Sequence, residues 1–237
     1  MNPTPTSPPH PGDLPEKRKS TSWKNIVGLL LLAGLVFFLL DALPPIIPRH
    51  KPAADRTEAL NNIRQVHLAL VEFDNEFGKF PDAGTVDAVK AKHPTELDLG
   101  AGSSNQIFRQ LIASGLKSEK PFWCKTPWSP KKPDNIYLPG KALEPGEVGF
   151  AYIAGLSIKD DPSTPLLVAP LIPGTTQFDP KPYGGKAIIL RLDGSATPMQ
   201  IRADNGVVMA PGGKDLFDPA QPFWKDKTPD IKWPETR

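Results

Sequence analysis

The chain has 237 residues, 39% of them hydrophobic, and a formal net charge of +2. That is material for one soluble domain of ordinary size, with no basic excess to imply a nucleic-acid partner. Cys124 is the only cysteine, which excludes an internal disulfide and a thiolate zinc site built from one chain.

Residues 1–24 are rich in proline and nearly devoid of large apolar side chains, so they cannot offset their own ordering entropy and are expected to form a disordered cytoplasmic tail. Lys17, Arg18, Lys19 and Lys24 then precede an uninterrupted apolar run at 26–40 (IVGLLLLAGLVFFLL). Continued through Leu43, the run reaches roughly 27 Å as a helix, enough to cross a bilayer. The expectation is therefore a transmembrane helix at 25–43, with Trp23 at one interface and Asp41 within reach of the other. A cleaved signal peptide has the same basic stretch and apolar core, but the small-x-small pattern of a cleavage site is poor around Ala42. The basic residues before the run place the N-terminus inside, a bias weakened by Arg49, Lys51 and Arg56 beyond it. Pro44, Pro45, Pro48 and Pro52 each deny a helix a hydrogen bond, so 44–54 reads as a proline-rich linker and 55–237 as the folded domain.

From Asp55 the pattern is that of an amphipathic helix, with Leu60, Ile63, Val66, His67, Leu70, Phe73 and Phe77 at steps of three and four, and Gly78 as a C-terminal cap. A short helix is expected at 86–92. A second amphipathic one is expected at 105–116, capped by Ser103 or Ser104. After Lys120 the helical period gives way to strand-like segments at 148–153, 166–168, 187–192, 198–201 and 207–209. Asp193-Gly194-Ser195 joins two of these as a hairpin turn. The fold class is α+β, an amphipathic helix packed on a small antiparallel sheet.

The stretch LNNIRQVHLALVEFDNEFGKFP, ending in Phe80-Pro81, resembles the first soluble helix and exit turn of pseudopilins and type IV pilin-like proteins of planctomycete and verrucomicrobial type. Many of those carry a signature of His, nine residues, then Asp-Gly; Tyr183 and Asp193-Gly194 stand at that spacing here, with tyrosine in the histidine position. The resemblance implies a pilin-like domain in the bacterial inner membrane, serving a secretion or pilus-type assembly through protein contacts. Two features depart from the family pattern. Lys24-Asn25-Ile26-Val27-Gly28 replaces the prepilin cleavage sequence, and four prolines interrupt the passage from apolar run to soluble helix. The reading is a pilin-like domain on a permanent anchor.

For chemistry, His10 falls in the tail, His50 in the linker and His93 in a loop, while His67 lies on the apolar helix face as a hydrogen-bonded core or boundary residue. No phosphate loop, nucleophile elbow or metal-binding helix motif is present in the sequence, and no catalytic residue, cofactor or metal is expected. A hydrolase would need His67, an acid and a nucleophile in one cleft. Cys124, beside Lys125, reads as a small buried hydrophobe. Asp204, Asn205, Asp215 and Asp218 supply oxygens that calcium would accept, but no loop motif organises them, so they read as turn residues. Pro121-Phe122-Trp123 recurs loosely as Pro222-Phe223-Trp224, with Trp128 and Trp233 close behind. These four tryptophans either pin loops to the sheet or make a partner-binding surface; in an envelope module that binds a ligand or peptide, they would be the contact residues.

Overall fold

A computed structural model describes residues 23–42 and 51–236; the expected tail at 1–22 and linker at 43–50 lie outside the described residues. The chain divides into two units, 1–46 and 47–237. The first contains helix α1 (Trp23–Ala42), within one or two residues of the expected limits. Its described side chains are those of 23–35 and 38, and every one is exposed. Among the described residues no helix is long and apolar enough to cross a membrane.

The second unit opens with α2 (Lys51–Phe77), so residues 51–54, expected in the linker, are instead the first turn of a 27-residue helix. Pro52 is tolerated there because a first-turn amide has no intrahelical acceptor to lose. The helix buries Ile63, Val66, Leu70 and Phe73, with Leu60 and Phe77 partly covered. It ends at Gly78, whose φ of +78° suits a residue without a side chain and whose amide donates to the Asp74 carbonyl at 2.7 Å. Helix α3 (Val86–Lys92) follows as expected. Helix α4 (Ser104–Ala113) is capped by the Ser103 hydroxyl, which accepts the Gln106 amide. It stops short of the expected Leu116. The chain turns at Gly115 (φ +120°), and the Gly115 and Leu116 amides close back onto the carbonyls of Ile112 and Leu111.

Five antiparallel strands make one sheet: β1 (Ala151–Ala154), β2 (Pro165–Ala169), β3 (Lys186–Arg191), β4 (Ala196–Gln200) and β5 (Asp230–Lys232), in the order β4-β3-β2-β1-β5. The strand expected at 207–209 is not one; Val208 and Met209 form only isolated bridges, to Ile201 and Asp215. The DGS turn joins β3 to β4 as expected, with Gly194 at φ +79° and the Asp193 carboxylate accepting the Ser195 amide at 2.8 Å.

The sheet is covered on both faces. On one, Tyr152, Leu167, Ile188 and Leu190 meet Ile63, Leu70 and Phe73 of α2 and Phe108 of α4. On the other, Ala151, Ile153, Val168, Ala187 and Ile189 meet Ile201, Val208, Leu216, Phe217 and Trp224, which come from chain without regular structure. Burial on both faces is why β2 and β3 are nearly continuous apolar runs rather than alternating ones.

Phe73 is 1% exposed at the centre of the helix-covered face, so Phe73→Ala is expected to destabilise the domain by about 3–5 kcal/mol, read from urea unfolding of the full chain. An unchanged midpoint would mean that the stripe does not pack on the sheet.

Candidate functional site

Apart from one 3₁₀ turn at Lys120–Phe122, the segment between α4 and β1 has no repeating hydrogen-bond pattern, and side chains hold it instead. Glu119 is fully buried. Its carboxylate accepts the Asn135 amide at 2.7 Å and the Leu143 amide at 2.9 Å, while its own amide donates to the Asn135 side chain at 2.9 Å. Burial pushes the Glu119 carboxyl above its ordinary range, and the two amides oppose that shift. From the other side, Arg109 of α4 donates to the carbonyls of Ala142 (2.8 Å) and Leu143 (3.1 Å), and Asn105 donates to Leu143 (2.9 Å) and Glu144 (3.2 Å). Asn135 and Leu143, one at each end of the loop, both have positive φ, 61° and 49°. A non-glycine residue holds that conformation only where its surroundings impose it.

Beyond this clamped base the tip turns at Gly140 (φ +70°), with the Lys141 and Ala142 amides donating to the Leu138 carbonyl. The tip presents Ile136, Tyr137 and Leu138, which are 41%, 37% and 60% exposed. In the second unit, the other large hydrophobics exposed among the described residues are Leu68 and Ile158, each standing alone. Three consecutive apolar side chains thus stand exposed on a loop whose base is fixed on folding.

The four tryptophans are not gathered into one surface. Trp123 (8% exposed) donates its indole N–H to the Ser129 carbonyl at 3.1 Å and lies under the Lys132 ammonium, 4.8 Å from the ring centroid. Trp224 (4% exposed) belongs to the second core and donates to the Leu216 carbonyl at 2.8 Å. Trp233, half-buried, donates to the Thr175 carbonyl at 2.9 Å. Trp128, also half-buried, lines an open hollow with Pro127, Pro130 and Pro173. Three of the four thus pin irregular chain by donating to a carbonyl.

His67 accepts a boundary role. Its Nε2 lies 3.2 Å from the Leu192 carbonyl, and a Cβ at Gly194 would come within 2.9 Å of its ring, so the DGS turn rests on it. His93 pairs with Glu76 at 2.6 Å, and His10 and His50 lie outside the described residues. Cys124 is fully buried, and burial pushes its thiol up to about 12. Tyr183 is buried too. Its hydroxyl lies beside the thiol without reaching hydrogen-bond geometry to any described group. Asn205, Asp215 and Asp218 each accept an amide two residues on, and Asp204 pairs with Arg202 at 2.7 Å. Those oxygens serve turns, and among the described residues no cluster of His, Cys, Asp or Glu could hold a metal.

The chain matches no family model, no curated protein and no solved structure.

Glu119→Ala strands two amides and is expected to cost about 2 kcal/mol or more, with the loss of hydrogen-exchange protection concentrated at 135–143. Protection lost evenly over the domain would contradict the clamp. For Cys124, a folded-state pKa above the ordinary 9.0 means that its stabilising share is complete below pH 9 and is lost as pH rises toward 12. Burial raises the Tyr152 and Tyr183 phenols as well. Alkaline titration should therefore show the tyrosinate absorbance of Tyr152 and Tyr183 rising together with unfolding, after that of the exposed Tyr137, and Cys124 should resist thiol reagents at pH 8 until denaturant is added.

Proposed function

We propose that this chain is a single-pass membrane protein whose pilin-like α+β domain is a non-catalytic contact module, an accessory of a bacterial secretion or pilus-type assembly. The N-terminus is cytoplasmic, 25–43 lies in the inner membrane and the domain stands outside. The loop Ile136-Tyr137-Leu138 is the observation that carries the contact role, since it is the one place in the second unit where consecutive large apolar side chains are exposed on a fixed base among the described residues. The complete exposure of the described side chains of α1, seven of them Leu, Ile or Val between Ile26 and Leu35, supports membrane insertion, because such a surface is otherwise unstable in water. The buried ionisable groups Glu119, Arg109 and Glu147 are spent on backbone partners, which is the pattern of a scaffold. The long α2 on an antiparallel sheet accords with the pilin-like resemblance of its sequence.

In cells the protein should sediment with membranes and resist carbonate extraction. A photo-crosslinking residue at 136 or 138 should give one discrete adduct with a membrane-protein component, absent when the crosslinker replaces exposed Lys90. Ile136→Asp together with Leu138→Asp should abolish that adduct without lowering the melting temperature. Extraction by carbonate would defeat the membrane reading, and equal crosslinking from 90 and 138 would defeat the contact role.

A further inference from the structure

Three stretches distant in sequence meet where α2 begins. The first turn of α2 brings Lys51 and Pro52, the chain after Trp123 brings Lys125 and Pro127, and the turn before β3 brings Lys181 and Pro182; together they line one open hollow. All three lysines are exposed. Lys125 is bonded to Asp55 at 2.7 Å, whereas among the described residues no acid pairs with Lys51 or Lys181. Arg56, on the next turn of α2, donates to the Tyr183 carbonyl, and Lys132, from the segment between α4 and β1, lies 3.9 Å from Glu58. The opposing charges nearby are Asp55, Glu58 and Asp179, the last using one oxygen to accept the Lys181 amide. Cations thus exceed acids, and Lys51 stands at the start of a helix, where the backbone dipole already disfavours a cation unless an anion lies opposite.

Covalent reach limits what that anion can be. Eight residues, 43–50, separate the end of α1 from the start of α2, so fully extended chain carries this end of the domain no more than about 30 Å from Ala42. We propose that the Lys51, Lys125 and Lys181 face lies on an anionic phospholipid surface, with the three prolines as a rigid, weakly polar frame at headgroup depth. The proposal rests on α1 being membrane-inserted. It adds that the domain is held in one orientation by its own basic face rather than swinging on a tether. Each lysine near such a surface strengthens apposition about fivefold, and salt weakens it.

The test uses the full chain reconstituted in nanodiscs of phosphatidylcholine alone or with one-third phosphatidylglycerol. A spin label at Pro127→Cys reports proximity to a lipid-bound nickel chelate, with Lys90→Cys as the distal control; buried Cys124 stays unlabelled. Relaxation of the 127 label should be stronger in the anionic discs, fall with added salt, and drop by at least about tenfold in docked-to-free ratio for Lys51→Glu combined with Lys181→Glu, neither of which disturbs an ion pair among the described residues. Equal relaxation in both lipids, or no effect of the charge reversal, would overturn the docked face while leaving the membrane reading intact. Failure of the chain to enter discs at all would overturn both.

Discussion

A sheet buried on both faces needs two covers, and here only one is helical. The second is irregular chain, and irregular chain can be buried only if its backbone groups find partners elsewhere. Proline eases half of that requirement, since each of the 30 prolines has no N–H to satisfy, but it leaves every carbonyl in place. The side chains that hold the irregular segments are accordingly donors: Arg109 and Asn105 to 142–144, Gln110 to Asp82 and Gly100, Gln221 to Lys214 and Asp215, and the tryptophan indoles to Ser129, Leu216 and Thr175. Glu119 is the complementary case, an acceptor where two amides remain.

Helix α4 is the centre of this arrangement. Its apolar side, Ile107, Phe108 and Leu111, sits in the first core, and Phe108 stacks on Phe122 with centroids 4.6 Å apart. Its polar side is buried as well, under the loop at 142–144 and the C-terminal segment, where Glu235 receives the Ser103 hydroxyl at 2.6 Å and donates its amide to Asn105 at 2.8 Å. A half-satisfied network of this kind would cost more than an apolar one. Ser103, Asn105, Arg109 and Gln110 are all bonded, Ser104 Oγ alone on this side finding no partner among the described residues, and together they give the chain around the apolar loop one geometry.

Helix α2 relates the two ends of the domain. Near its start Arg56 donates to the Tyr183 carbonyl, and eleven residues on His67 meets Leu192 and the DGS turn, so one helix grips the chain before and after β3. Tyr183 and Asp193-Gly194 thus bracket β3, and α2 holds the chain at both ends. Tyr183 puts a large aromatic side chain against Cys124 within the core.

Periodicity and punctuation by themselves determined α2 and its glycine stop, α3, a serine cap at 103 or 104, the hairpin and the α+β class, because those depend on neighbours three or four residues away. The start of α2 was misplaced, since a proline that breaks a helix interior is harmless in its first turn. The second core, β5 and the bridges that replaced a strand at 207–209 were decided by tertiary structure. So was the burial of Trp123 and Trp224, whose indoles close onto the carbonyls of Ser129 and Leu216 within irregular chain that carries no period. The loop at 135–140 was invisible for the same reason. Asn-Ile-Tyr-Leu-Pro-Gly carries no period, and only the long-range closure of Glu119 onto Asn135 and Leu143 turns three unremarkable apolar residues outward on a fixed base.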